Sequence, residues 1–330
     1  DRIARQLGIA VDNPLRLAAG VLYVLDRLTE HGHTCFPRSR LLQEAARTLD
    51  VESPLVETGL ERALLDGTVL AETPTGAAEA VIYPRRLFAA ETELAESVQR
   101  LLAHAHKPLD VPEAALGPGY AALNALQRQA VGEAFRSCLS VITGGPGVGK
   151  TTVVGQIVAA ARRLGRFVLL AAPTGRAAKR LAESTGTEAK TVHRLLKWDP
   201  VDRVFIHNHE RPLRCDFLIV DEVSMLDVVL ANHLFRAVRP GTHVVLVGDR
   251  DQLPSVGPGN VLHDFIACRR FPVVHLTEIY RQAENSRIVL NAHAVNSGQM
   301  PDLRPVPKGV AADFYWVDQD DPDRAAAIIA

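Results

Sequence analysis

The sequence predicts an α/β protein: a parallel sheet covered by helices on both faces, interrupted by a small hairpin insertion and preceded by a helical module. Three observations carry this. From about residue 120 onward, short apolar runs rich in β-branched residues alternate with helical stretches, which is the pattern of strands buried on both faces. One of those runs leads through a glycine-rich turn straight into a helix, the strand–loop–helix order of a phosphate-binding loop. The first hundred residues keep the three-and-four spacing of buried helix stripes instead, broken by a single hairpin-like segment.

Residues 13–105 read as helical apart from that hairpin. The run Pro14 to Leu25 places apolar side chains on one wide stripe. Pro37 fits the first position of a second helix carrying Leu41, Leu42, Ala45 and Ala46. Ser53, ahead of Pro54, reads as the N-cap of a third. Gly67–Glu72 and Ala80–Tyr83 flank Pro74-Thr75-Gly76 as the two arms of the hairpin. Three helices and a hairpin make an α-helical, winged-helix-like module, assigned to residues 1–107. Such modules bind DNA, contact proteins or act as spacers, and all three uses stay open.

Pro108, Pro112, Pro118 and two glycines mark residues 108–119 as a linker. The sheet comes next, with strands expected at Ser140-Val141-Ile142, Phe167–Leu170, Phe217–Val220 and Val244–Val247. Each ends in a polar or glycine-rich loop, where open α/β sheets place their ligands. Residues 120–310 form this domain. A further strand at Asp313–Val317, then a helix running to Ala330, suggests that residues 311–330 begin another domain.

Gly144-Gly145-Pro146-Gly147-Val148-Gly149-Lys150-Thr151 fits G-x-x-x-x-G-K-[ST] between a strand and a helix. Glycines let backbone N–H groups close around phosphates; the helix start adds partial positive charge and Lys150 a full one. Gly145, Pro146, Gly147, Val148, Gly149, Lys150, Thr151 and Thr152 are therefore the expected ATP-binding residues. Asp221-Glu222 ends another strand about 70 residues later. Thr151 and Asp221 are the expected Mg²⁺ ligands, and Glu222 the base for the attacking water. Asp-Glu after a strand means little alone; beside a phosphate loop it means a nucleoside triphosphatase. Gln252, in the loop Gly248–Gly259 after the fourth strand, is placed to sense the γ-phosphate. The loops of Lys150 and Asp221 are expected to meet at adjacent strand tips.

In this order and spacing the motifs resemble the superfamily 1 helicases, most closely the RecD-like branch, over residues 120–300. The resemblance implies a RecA-like P-loop NTPase fold and an ATP-dependent DNA helicase moving 5′ to 3′. It implies that Gln127 in Leu123–Gln127 reads adenine, and that Lys150, Glu222, Gln252 and Arg281 (in Leu276–Gln282) are catalytic. It also implies DNA contacts at Pro173, Thr174, Gly175 and Arg176, then at Thr191 and His193. Residues 4–9 and the helices after them are similar to the N-terminal region of longer RecD-like proteins.

A hairpin about 198–213 falls on the most basic stretch of the chain. Between Arg162 and Arg214 there are twelve Lys/Arg and five Asp/Glu, a local +7 in a chain of net −1. That charge suits phosphate-backbone binding, or equally a solvated face with arginine stems on apolar surface. By resemblance the hairpin, Asn208 included, is a pin that parts strands at a duplex junction; a capping hairpin is the alternative. His193, His207 and His209 lack the carboxylate or cysteine neighbours of a metal site.

Composition excludes little else. The four cysteines are widely spaced, which favours a reducing cytoplasm over disulfide or zinc frameworks. No run approaches the ~20 apolar residues of a membrane span, and the start has no signal-peptide core. The missing initiator Met points to a fragment, and no segment resembles the family's second motor domain with its arginine finger. The expectation is that this piece binds nucleotide, hydrolyses it slowly and does not translocate. Expected partners are single-stranded DNA and duplex junctions, with a single-strand-binding protein or a nuclease as further candidates. The main alternative is a nucleotide-gated DNA-binding subunit of a helicase–nuclease complex. A conjugative relaxase-helicase would need a tyrosine nucleophile domain not seen here.

Overall fold

The computed structural model describes residues 6, 8–104, 107–278, 286–306, 312–321, 324 and 326–327. Its N-terminal part runs α1 (Pro14–Glu30), β1 (Phe36–Pro37), α2 (Arg38–Leu49), α3 (Ser53–Leu65), β2 (Val69–Glu72) and β3 (Val81–Pro84). The three strands form one antiparallel sheet in the order β1-β3-β2, the topology of a winged helix. Asn13 caps α1, its side-chain oxygen accepting from the N–H groups of Leu15 and Arg16. Leu17, Val21 and Leu25 of α1 pack with Leu41, Leu60 and Ile82 in a core of their own.

Two cap assignments shift by one residue. Pro37 lies outside α2, because it pairs with Val81 in β1 and holds an extended backbone. Glu52 is the N-cap of α3 and Ser53 its first residue, with no side-chain cap hydrogen bond.

No loop separates this module from the next helix. α4 (Arg85–Ala103) starts where β3 ends. Leu87, Leu94, Val98 and Leu101 of α4 enter the core on one face of the large sheet. Residues 108–119 are not a free tether: Glu113–Leu116 and Pro118–Ala121 are helical turns, and Leu109, Val111 and Leu116 pack on the opposite face.

The large sheet has six strands, all parallel, in the order β11-β4-β10-β9-β5-β6. They are β4 (Leu139–Thr143), β5 (Val168–Ala172), β6 (Ala189–Thr191), β9 (Phe217–Val220), β10 (His243–Gly248) and β11 (Val273–His275). Side chains alternate between two cores, as the two-residue period requires. Leu218, Val220, Val244 and Leu246 join α4 and α9 (Val228–Arg236) on one face. Phe217, Ile219, Val245 and Val247 join α5 (Ala125–Arg136) and α6 (Lys150–Arg163) on the other. α7 (Gly175–Thr185) and α8 (Val192–Leu196) come after β5 and β6.

The insertion is a two-stranded hairpin, β7 (Trp198–Asp199) against β8 (Val204–Phe205). Phe205 anchors its base, buried with its ring 4.8 Å from both Trp198 and His233. Val201 at the tip is exposed. After α10 (Val261–Cys268) and β11 comes α11 (Arg287–Asn296). The strand expected at Asp313–Val317 does not form, for no neighbouring strand among the described residues offers a ladder there; Asp313 accepts instead from the Ser286 hydroxyl at 2.5 Å and the Arg287 N–H at 3.1 Å.

Gly59 marks the closest approach of α3 to α1. A Cβ there would stand 2.6 Å from the Leu17 carbonyl carbon and 2.9 Å from the Ala18 nitrogen, both backbone atoms with little freedom to move. Gly59→Ala should therefore destabilise the module by about 1–3 kcal/mol. In hydrogen exchange, protection should fall across residues 14–65 and persist across β4, β9 and β10; equal loss in both regions would contradict separate cores.

Candidate nucleotide and nucleic-acid site

β4 delivers the chain to the sheet's carboxyl edge and the loop 144–149 turns it into α6. Gly147 and Gly149 hold positive φ angles of 77° and 84°, which non-glycine residues adopt only with strain. A Cβ on Gly144 would strike the Leu276 carbonyl, and Val148 Cγ2 at 2.9 Å. Val148 is the loop's one buried side chain, fixed in the core beneath. Thr151 and Thr152 are exposed on the first turn of α6.

Side chains from three elements hold the outer carbonyls of this loop. Lys150 Nζ donates to the Gly144 carbonyl and, at 3.0 Å, to that of Gly145. His293 Nε2 lies 3.1 Å from the Pro146 carbonyl. Gln127 Nε2 donates to the Val148 carbonyl at 3.1 Å. The Gln127 amide oxygen accepts from the Asn124 N–H at 3.1 Å, completing a capping box at the start of α5. Gln127 is 0% exposed with both ends of its amide engaged, so its observed work is bracing the loop.

Three carboxylates face Lys150. Asp221 follows β9 directly, Glu222 comes next, and Asp249 stands just past β10 and is 3% exposed. Strand order corrects one expectation: β10 lies between β4 and β9, so the Lys150 and Asp221 loops are not on adjacent tips. One intervening strand adds about 5 Å between the two loops. Burial pulls the Lys150 ammonium below its usual pKa range, opposed by Asp249, Glu222 and Asp221 in that order. Burial pushes Asp221 up, against the Glu222 N–H and the charges of Lys150 and Arg180. Glu222 is pushed up by burial and then by Asp221.

Glu222 holds φ at 54°, a left-handed conformation unusual for its type. The Asp221 carboxylate sustains it by accepting the Glu222 N–H at 2.9 Å. Gln252 is exposed, and its side-chain oxygen accepts from the Ser224 hydroxyl at 3.3 Å. The Arg250 N–H donates to Thr143 Oγ1 at 3.2 Å, tying this loop to the phosphate-loop strand. Arg281 lies outside the described residues. Asp249 lies in the loop singled out for Gln252 but was given no role of its own, while Arg180 and His293 reach the site through tertiary packing, with no local motif.

The expected nucleic-acid contacts gather at the far side of the same edge. Ala172 pairs with Thr191 in register, so the segments after β5 and β6 leave the sheet side by side. Thr174 and Thr191 cap α7 and α8, accepting from the N–H groups of Ala177 and Arg194. Gly175, Arg176 and His193 are exposed and Pro173 half-buried. Asn208 sits beyond the hairpin in a tight turn, accepting from the Glu210 and Arg211 N–H groups at 2.9 and 3.1 Å.

Comparison with known proteins adds two domain families: the AAA domain matches residues 127–258, and the ATP-dependent RecD2 DNA helicase HHH domain matches residues 1–35. The chain is 38% identical to the ATP-dependent RecD2 DNA helicase of Deinococcus radiodurans over 317 residues, 91% of this chain and 43% of that protein. It is 35% identical to the RecBCD enzyme subunit RecD of Mycolicibacterium smegmatis over 228 residues, 62% of this chain and 41% of that one. It thus spans less than half the length of these relatives. Among solved structures, the Pif1 helicase from Candida albicans matches with a TM-score of 0.41 at 24% identity, covering 57% of this chain and 50% of that one.

The upward shift of Asp221 has a measurable sign. A carboxylate with a raised folded-state pKa binds more protons folded than unfolded, so its ionisation weakens folding as pH climbs through that range. Asp221→Asn should raise the melting temperature of the nucleotide-free protein at neutral pH, with the gain fading below the usual carboxylate range. A variant less stable at pH 7 would reverse the assignment of burial as the dominant effect on Asp221.

Proposed function

We propose that the chain, similar over 91% of its length to an ATP-dependent RecD2 DNA helicase, is of the RecD2-like superfamily 1 type and supplies the N-terminal module and first motor domain of an ATP-dependent DNA helicase. The proposed motor moves 5′ to 3′ on single-stranded DNA and separates strands at duplex junctions. The observation that carries this is that the loop ending at Lys150 and the segments bearing Asp221, Glu222 and Asp249 leave the same carboxyl edge of the parallel sheet, after β4, β9 and β10. A concave turn of N–H groups, a lysine above it and a desolvated acidic pair are the parts that phosphoryl transfer from ATP requires.

The donor set also fits Mg²⁺. Thr151 offers an exposed hydroxyl at the start of α6 and Asp221 a desolvated carboxylate from the facing strand; both are oxygen ligands of the kind this ion takes. Once bound, the ion neutralises charge on the phosphate oxygens. Lys150 then exchanges the Gly144 and Gly145 carbonyls for a γ-phosphate oxygen. Glu222, its carboxylate made more basic by burial and by Asp221, accepts a proton from the attacking water. Gln252 registers the γ-phosphate and passes the change through Ser224; Arg281 is proposed as a further phosphate contact.

Single-stranded DNA is proposed to cross the tips of β5 and β6 at Pro173, Thr174, Gly175, Arg176, Thr191 and His193. The hairpin, with Asn208 beside it, would stand at the junction with exposed Trp198 for stacking. A second reading, a nucleotide-gated DNA-binding subunit within a helicase–nuclease complex, draws on the similarity to a RecBCD subunit. Unwinding of 5′-tailed against 3′-tailed duplexes by the purified full-length protein separates the two: 5′-tailed unwinding without a partner supports the helicase, and none at all supports the subunit.

In that full-length protein, Glu222→Gln should keep nucleotide affinity near the parent value while DNA-stimulated hydrolysis falls by about 10² or more. Deleting residues 199–212 should abolish unwinding and spare DNA-stimulated ATP turnover; loss of both would refute the pin.

A further inference from the structure

One contact on the phosphate loop comes from a part of the chain that none of the motifs includes. His293 lies on α11, almost 150 positions from the loop, yet its Nε2 is 3.1 Å from the Pro146 carbonyl. A carbonyl only accepts, so Nε2 must carry the proton and donate. A Cβ on Gly145 would lie 2.8 Å from His293 Cε1, so the imidazole rests against the loop backbone with no room for a side chain between.

Planarity makes this contact directional. In a trans peptide the carbonyl and the N–H of the next residue point to opposite sides. Holding the Pro146 carbonyl outward therefore turns the Gly147 N–H inward, toward the concave side that receives phosphate. Gln127 does the same for the next unit but one: its grip on the Val148 carbonyl turns the Gly149 N–H inward. Lys150 holds the Gly144 and Gly145 carbonyls only while no phosphate competes for its ammonium. His293 and Gln127 are the holds that persist once nucleotide enters.

The helix bearing His293 is itself braced by polar contacts. Ser286 caps it through the Val289 N–H at 3.2 Å. Asn291, buried, donates to the Asp302 carbonyl at 3.2 Å and accepts the Asp302 N–H at 2.7 Å. Arg287 donates to the carbonyls of Asp302 and Arg304 at 3.0 and 2.8 Å. An imidazole on a helix fixed this way presents its proton at a set position.

We propose that His293 is a positioning residue of the nucleotide site: by donating to the Pro146 carbonyl it holds the phosphate loop in the conformation that accepts a triphosphate. This rests on the reading of the loop as an ATP site. The test is titration of the full-length protein with a fluorescent ATP analogue and Mg²⁺, comparing the parent with Lys150→Ala, His293→Ala, His293→Phe and His293→Gln. One hydrogen bond of ordinary strength corresponds to a loss of about two- to tenfold in affinity. His293→Ala and His293→Phe should show that loss, with single-strand DNA affinity in the absence of nucleotide unchanged. His293→Gln, which restores an N–H donor, should recover most of it. Should the alanine variant fail to fold, the phenylalanine and glutamine pair decides, since both fill the space and only one donates.

Parent-like affinity in the phenylalanine variant, with Lys150→Ala abolishing binding, would overturn the role of His293 and leave the site standing. Equal weakening in the phenylalanine and glutamine variants would overturn it as well, since packing rather than donation would then be at work. Unchanged affinity in Lys150→Ala would overturn the ATP site and this proposal together.

Discussion

At the carboxyl edge of the sheet, burial works against Lys150, Asp221 and Glu222 alike. The ammonium is pushed toward losing its proton and the two carboxylates toward gaining one. Their mutual attraction offsets this only in part, because desolvation stands first among the causes in all three. Such a cluster is held together by what surrounds it. The Glu222 N–H and Asp221 carboxylate fix each other, and Asp249 accepts the Asp251 N–H at 3.0 Å and carries the Gln252 N–H on its own carbonyl. The left-handed backbone at Glu222 is a further strain at the same point. Charges buried together in this way cost the fold stability, and under the proposed function a triphosphate with its cation would offset that cost. Binding and conformational response would then be linked in one place.

The loop after β10 spreads that linkage outward. Ser255 donates to the carbonyls of Gly257 and Gly259 at 2.9 and 3.0 Å, closing the loop on itself. The Val228 N–H, at the head of α9, donates to the Pro258 carbonyl, and the Gly259 N–H donates to the Gly32 carbonyl of the N-terminal module. α9 in turn is locked to α4, with Glu93 accepting from both Arg236 and Asn232 at 2.8 Å. A shift at Gln252 therefore meets the module by two routes, through the turn at Gly32 and through the helix pair. With α4 running from the module's last strand into the sheet's core, the module is joined to this face of the sheet without an intervening loop.

Much of this was legible in the sequence where chemistry demands fixed spacing. The phosphate loop, the acidic pair and the hairpin could be read because their residue types and intervals reflect what they hold or turn. Four central strands could be read because they are continuously apolar. The edge strands β6 and β11 escaped, since Ala189-Lys190-Thr191 is short and half polar and Val273-Val274-His275 is only three residues long. The position of β10 between β4 and β9 is a matter of topology, which no strand encodes by itself. His293 and Arg180 escaped for a related reason: each reaches the site from a distant part of the chain, and no local pattern announces it. Gln127 shows the converse. Its motif was recognised, but burial and the capping box give its amide other partners.

α7 joins the two halves of the site. Thr174 caps its first turn beside Arg176, at the proposed nucleic-acid edge, and Arg180 lies one turn beyond Arg176, about 6 Å along the axis. From there its charge is felt at Lys150, Asp221 and Glu222. An eleven-residue helix cannot flex appreciably over one turn, so any shift of its backbone at Arg180 also carries the cap at Thr174. The side-chain oxygen of Thr174 is committed to that cap, which leaves its hydroxyl proton, the nearby backbone and the exposed Arg176 to face a DNA strand. Under the proposed function, the strand contacts and the nucleotide charges ride on one helix, and the two halves of the site need no longer path between them.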